Sequence, residues 1–84
     1  MKERSIIKLM KIKIVKKIEV VGYEVVRKVE VFEREVSEFS FKELMKVCGC
    51  KSDDGMGWED WGYGDGVKVI GNVDGDVEFI CVKI

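Results

Sequence analysis

The stretch MKIKIVKKIEVVGYEVVRKVEV, residues 10–31, decides the fold. From Met10 to Val20 the even positions are Met10, Ile12, Ile14, Lys16, Ile18 and Val20, and the odd positions are Lys11, Lys13, Val15, Lys17 and Glu19. Side chains alternate between the two faces of a strand, so this period of two predicts a half-buried β-strand. From Tyr23 onward the apolar set moves to the odd positions Tyr23, Val25, Val29 and Val31, with Arg27 among them. A two-residue turn at Val21-Gly22 then sets Val20 opposite Tyr23, Ile18 opposite Val25, Ile14 opposite Val29 and Ile12 opposite Val31, all on one face. On the other face Lys13 meets Glu30, a favourable cross-strand pair. The alignment has one defect: Lys16 and Arg27 stand opposite each other on the apolar face. They must snorkel to an edge, or a bulge must change the register there.

Downstream, Phe39-Ser-Phe-Lys-Glu-Leu44 carries a helix start. Ser40 is an N-cap, Glu43 at N3 completes a capping box, and Phe39 and Leu44 form a hydrophobic staple. Gly49 supplies a left-handed stop. The spacing predicts a helix over 41–48 that buries Phe41, Leu44, Met45 and Cys48. Two turns are not stable alone, so the helix must pack on a sheet.

Residues 67–73 and 77–84 read as strands around Asp74-Gly75, a strong hairpin signal. Val67, Val69, Ile80 and Val82 share one face, and Ile70, Val77, Phe79 and Cys81 line the other. Residues 49–66 between helix and hairpin read as a long loop, with glycines at 49, 55, 57, 62, 64 and 66. The expected fold is α+β: a small β-β-α-β-β domain, with an antiparallel sheet of two hairpins and one short helix packed on it. The chain of 84 residues fits a single domain, with residues 1–9 as a ragged start.

Hydrophobic residues make up 46% of the chain, too many for general disorder. No apolar run reaches the length of a membrane helix, and lysines at 8, 11 and 13 break the early apolar stretch, so a cytoplasmic location is expected. Charge is divided: residues 1–36 hold ten Lys/Arg against six Glu, and residues 37–84 hold five Lys against ten Asp/Glu.

The chain contains no His, which removes the usual general base and the commonest metal ligand. Its serines, at 5, 37, 40 and 52, stand in no nucleophile-elbow context, and no phosphate-binding glycine motif occurs. The residues point away from an enzyme. Cys48-Gly-Cys50 and Cys81 read as thiols rather than a disulfide framework. Their spacing departs from the Cys-x(2–4)-Cys of zinc sites, so neither metal nor cofactor is expected. Asp53-Asp54-Gly55 likewise misses the calcium-loop pattern.

The feature with most binding chemistry is the acidic, aromatic loop. Asp53, Asp54, Trp58, Glu59, Asp60, Trp61, Tyr63 and Asp65 are its candidate partner-binding residues. Exposed Trp and Tyr make binding hot spots, and neighbouring acids suit a protein with a basic surface, including a nucleic-acid-binding complex. One Trp can face inward over the core while the other faces outward. The expected function is therefore a small non-enzymatic protein-binding module. In style only, such small acidic domains without catalytic apparatus look like virus-encoded inhibitors of host defence, such as anti-CRISPR proteins. That likeness implies an inhibitor that occupies a nucleic-acid site on its target. Two alternatives use other surfaces. Lys8, Lys11, Lys13, Lys17, Lys28 and Arg34 on the first hairpin could contact nucleic acid, although a pI near 5.5 argues against this. A sheet edge or the second hairpin could form a homodimer.

Overall fold

The structure is a computed structural model that describes residues 8–22, 24–50, 57–73 and 75–84. Strand β1 spans Met10–Val21 and β2 spans Val25–Val36. Helix α1 follows at Phe41–Cys48. Strands β3 (Trp58–Gly64), β4 (Val67–Asn72) and β5 (Val77–Lys83) complete the chain. The strands form one five-stranded sheet of order β2-β1-β5-β4-β3, with every neighbouring pair antiparallel. The fold is small and α+β, with one short helix among the described residues. Residues 58–64 correct the expected long loop at 49–66, because they form a third strand beside β4. The element order is thus β-β-α-β-β-β. Among the described residues, no helix is long and apolar enough to cross a membrane.

The helix forms where its local signals place it. Ser40 is extended (φ −122°, ψ 157°), and its hydroxyl oxygen accepts from the Glu43 N–H at 3.2 Å. Gly49 is left-handed at φ 80°. Its N–H donates to the Lys46 carbonyl, and the Cys50 N–H donates to that of Met45, so two of the carbonyls in the last turn are satisfied. Leu44 is the buried centre of the helix, and Phe41, Met45, Val47 and Cys48 pack around the core beside it.

The β1–β2 register corrects the expected one. Ile14 stands opposite Phe32, Ile12 opposite Arg34 and Met10 opposite Val36, a shift of three residues along β2. The connection is three residues long, 22–24, rather than two. Because side chains alternate, an odd shift exchanges the two faces of β2 relative to β1. The physical gain lies in the charges. Lys16 now faces Glu30 instead of Arg27, Lys13 faces Glu33, Lys11 faces Glu35, and Glu19 faces Arg27. The last pair forms an ion bridge at 3.6 Å. The shift also brings Val36 and Phe32 to the face that carries Ile12 and Ile14, where Val36 is fully buried. In exchange, Val29 and Val31 are left 54% and 57% exposed on the opposite face.

The core is one-sided. Ile12, Ile14, Val36, Ile70, Phe79 and Cys81 project from one face of the sheet beneath Leu44 of α1. In the β4–β5 hairpin, Ile70 pairs with Phe79 on this face, and Val69 pairs with Ile80 on the other, as the alternation predicts. The buried Asn72 builds the turn, its Oδ1 accepting from the N–H groups of Asp76 (3.0 Å) and Val77 (3.4 Å). Among the described residues, no helix or second sheet covers the opposite face. One row there runs Val31, Val15, Ile80 and Val69 from β2 to β4.

The register has a direct test. Glu19 and Lys11 direct their backbone groups toward the β5 side of β1, the N–H of one to Asp76 and the carbonyl of the other to Ile84. The odd pairs of β1 and β2 are therefore the non-hydrogen-bonded ones, whose Cα atoms approach to about 4.5 Å. NMR should show a strong Hα–Hα NOE between Val15 and Val31. One between Ile12 and Val31 would contradict the register.

Candidate functional site

The β3–β4 hairpin arises from an acidic and glycine-rich segment. Asp65-Gly66 makes the turn, with Gly66 at φ 79°, and the Lys83 N–H donates to the Gly66 carbonyl at 2.9 Å. Within β3 the pairing with β4 shifts between Asp60 and Gly62, which makes Trp61 the extra residue of a bulge. A bulge re-aims the side chain it carries. Here it lays the Trp61 ring over Gly71. A Cβ on Gly71 would come within 2.5 Å of the ring, so the close approach requires glycine at that position.

Ile70 and Asn72 are buried on the helix side, so Gly71 presents its other side to the uncovered face, and Trp61 lies there, 42% exposed. Gly71 pairs with Glu59 on one flank and with Glu78 on the other. All three positions share one row. Trp61 therefore rests on a strip of bare backbone between two carboxylate-bearing residues. Spacing alone does not single out Glu78 and Gly71, because only the alignment of β3, β4 and β5 brings them beside Trp61.

The other candidate residues are distributed differently. Asp60 lies on the helix side, where Lys68 Nζ donates to its Oδ2 at 3.0 Å, so this acid is already engaged. Asp65 is exposed in the turn. Asp53 and Asp54 lie outside the described residues, as does the side chain of Tyr63. Among the described residues, the candidates divide between the two faces of the sheet. The structure unites Glu59 and Trp61 and directs Trp58 and Asp60 to the opposite side of the sheet.

Trp58 packs on Phe79, with ring centroids 5.7 Å apart and planes at 42°. It borders a cleft of about 270 Å³ whose walls include Lys16, Cys48, Cys50, Asn72 and Val77. The Trp58 Nε1 is buried and makes no hydrogen bond among the described residues. Lys16 Nζ lies 5.6 Å from the Phe79 centroid. Beside the cleft, Cys48 Sγ and Cys81 Sγ lie 3.9 Å apart. Their hydrogen bond, and then burial, push the Cys48 thiol far above its ordinary range. The same bond, opposed by burial, lowers that of Cys81. Among the described residues, no three His, Cys, Asp or Glu side chains cluster to hold a metal ion. Comparison with known protein families, curated proteins and solved structures gives no match.

The Cys48 environment makes a pH prediction. Only the thiolate is alkylated, and a raised pKa keeps the group protonated through the range where an ordinary cysteine has begun to ionise. At pH 8, iodoacetamide should label Cys48 in the folded chain much more slowly than in the chain unfolded in urea, as followed by peptide mass spectrometry. Equal rates would show that the Cys81 contact does not hold Cys48 as a thiol.

Proposed function

We propose that the chain is a small non-enzymatic protein-binding module that engages a basic segment of a protein partner through Trp61 on the uncovered sheet face. The observation that carries this reading is the Trp61 ring, lying on Gly71 between Glu59 and Glu78. An exposed indole offers its negative face to a Lys or Arg side chain, an interaction of roughly 0.5–1 kcal/mol at an exposed site and about 2 when water is excluded. Flanking carboxylates favour the same cation and steer its approach. The apolar row of Val69, Ile80 and Val15 continues from this patch and offers area for the aliphatic part of the partner.

A partner whose basic surface normally holds nucleic acid presents the cations this patch suits. Binding there would compete with the polyanion, which is the inhibitory role implied by the likeness to virus-encoded inhibitors. Direct nucleic-acid binding by the first hairpin has less support. Lys11, Lys13 and Lys17 do share the uncovered face, but Glu35, Glu33 and Glu78 stand opposite them in neighbouring strands and offset their field.

The test is a titration with an arginine nonapeptide at low salt, with a glutamate nonapeptide as control, followed by tryptophan fluorescence and calorimetry. Trp61→Ala should weaken binding about tenfold, and Glu59→Gln with Glu78→Gln should weaken it several-fold. Added salt should reduce binding further. Unchanged affinity in Trp61→Ala, with the fold intact by circular dichroism, would overturn the assignment.

A further inference from the structure

The outer edge of the sheet carries a second surface, independent of Trp61. Among the described residues, β2 has a neighbour only on its β1 side. Its twelve residues, Val25–Val36, are as long as β1. An edge of this length exposes a row of backbone donors and acceptors and templates another strand. Which groups face outward follows from β1. Its odd residues turn their backbone groups toward β5, as the bonds of Glu19 and Lys11 show, so its even residues face β2. The even residues of β2 answer them. The outward groups of β2 therefore belong to its odd residues, Val25, Arg27, Val29, Val31, Glu33 and Glu35.

Only odd-to-odd pairing can join two β2 edges, and two-fold symmetry leaves few centres to consider. A centre on Val29 sets Arg27 against Val31. A centre on Val31 sets Arg27 against Glu35 but also Val29 against Glu33 and, on the helix side, Lys28 against Arg34. A centre on Glu30 sets Arg27 against Glu33 at both ends and Val29 against Val31 twice between them. That arrangement pairs opposite charges and joins the exposed valines in one step. These are the two residues that the β1–β2 register leaves 54% and 57% exposed.

We propose that two copies of the chain associate through antiparallel pairing of their β2 edges, centred on Glu30, to form a continuous ten-stranded sheet. The interface is isologous, as a two-fold dimer requires. The four valines gather on the uncovered face and are closed off by Arg27 of each copy facing Glu33 of the other. The two Glu30 side chains meet across the axis on the helix side. Each already has Lys28 Nζ at 3.4 Å and stands opposite Lys16 of its own chain, so cations flank the carboxylate pair. The Arg34 guanidinium donates to the outward carbonyl of Glu33 at 2.8 Å. A carbonyl oxygen has two lone pairs and can accept a strand bond beside it.

Sedimentation equilibrium on the full chain tests this. The mass should rise with concentration toward twice the chain mass of 9.6 kDa. Arg27→Glu or Glu33→Arg alone each sets like charges against each other at both ends and should weaken association about tenfold, and combining them should restore it. Val31→Pro removes an N–H that serves no bond among the described residues, so it should abolish the dimer while circular dichroism stays unchanged. A mass of 9.6 kDa up to about 1 mM would overturn the proposal, since even weak specific interfaces associate there. A dimer whose affinity is indifferent to the charge reversals would also overturn it. Arg27 and Glu33 also face Glu19 and Lys13 of their own chain, so the mass of each reversal is compared at unchanged circular dichroism, and these variants keep the test valid if the proline variant does not fold.

Discussion

The pairing of β1 with β2 is the constraint on which the rest of the structure depends. It satisfies two demands at once. Ile12 and Ile14 must be buried beneath the helix, and the lysines that alternate with them, together with Lys16 on the buried side, must find carboxylates. The observed alignment meets both, with Lys11, Lys13 and Lys16 facing Glu35, Glu33 and Glu30. The valine-rich middle of β2 then falls on the other face. Burying a valine stabilises by about 1.5–3 kcal/mol, but placing Lys16 against Arg27 in an apolar setting would cost a comparable amount, and the chosen alignment also buries Val36 and brings Phe32 to the core face.

That choice makes the two faces of the sheet different in kind. One holds the core, sealed by a two-turn helix that a serine cap and a left-handed glycine fix at both ends. The other keeps an apolar row at its centre and charged residues around it. The bulge in β3 places Trp61 on this second face, while Trp58, three positions earlier, packs against Phe79 on the first. Two tryptophans of one short strand thus lie in different settings: one extends the core against Phe79, and the other lies exposed on the uncovered face, where the proposed recognition surface is centred. Gly71 is the hinge of this division, because only a residue without a side chain admits the indole so close to the backbone.

What the sequence reveals here depends on whether the signal is local. The helix limits, its caps and the two faces of the β4–β5 hairpin are set by neighbouring residues, and all are legible from spacing. The β1–β2 register is not, because the alternation of β2 fits two alignments, and the choice rests on long-range burial of Val36 and on four cross-strand charge pairs. Strand β3 is masked for another reason. Gly62, Gly64 and three acids, Glu59, Asp60 and Asp65, lower its strand propensity in and beside the strand, and it exists because β4 offers an edge. The candidate site was legible in part. Trp61 and Glu59 could be named from composition, but Glu78 and Gly71 come from strands whose alignment brings them there. The division of Trp58 from Trp61 was foreseeable only as one inward and one outward residue.

The measurement that tests this two-faced sheet most directly is acrylamide quenching of two single-tryptophan variants, Trp58→Phe and Trp61→Phe. With Trp61 alone, emission should be red-shifted and strongly quenched, since the ring lies exposed on the uncovered face. With Trp58 alone, emission should be blue-shifted and protected against Phe79. Equal quenching of the two variants, both still folded, would contradict the placement of the tryptophans on opposite faces and with it the recognition surface proposed at Trp61.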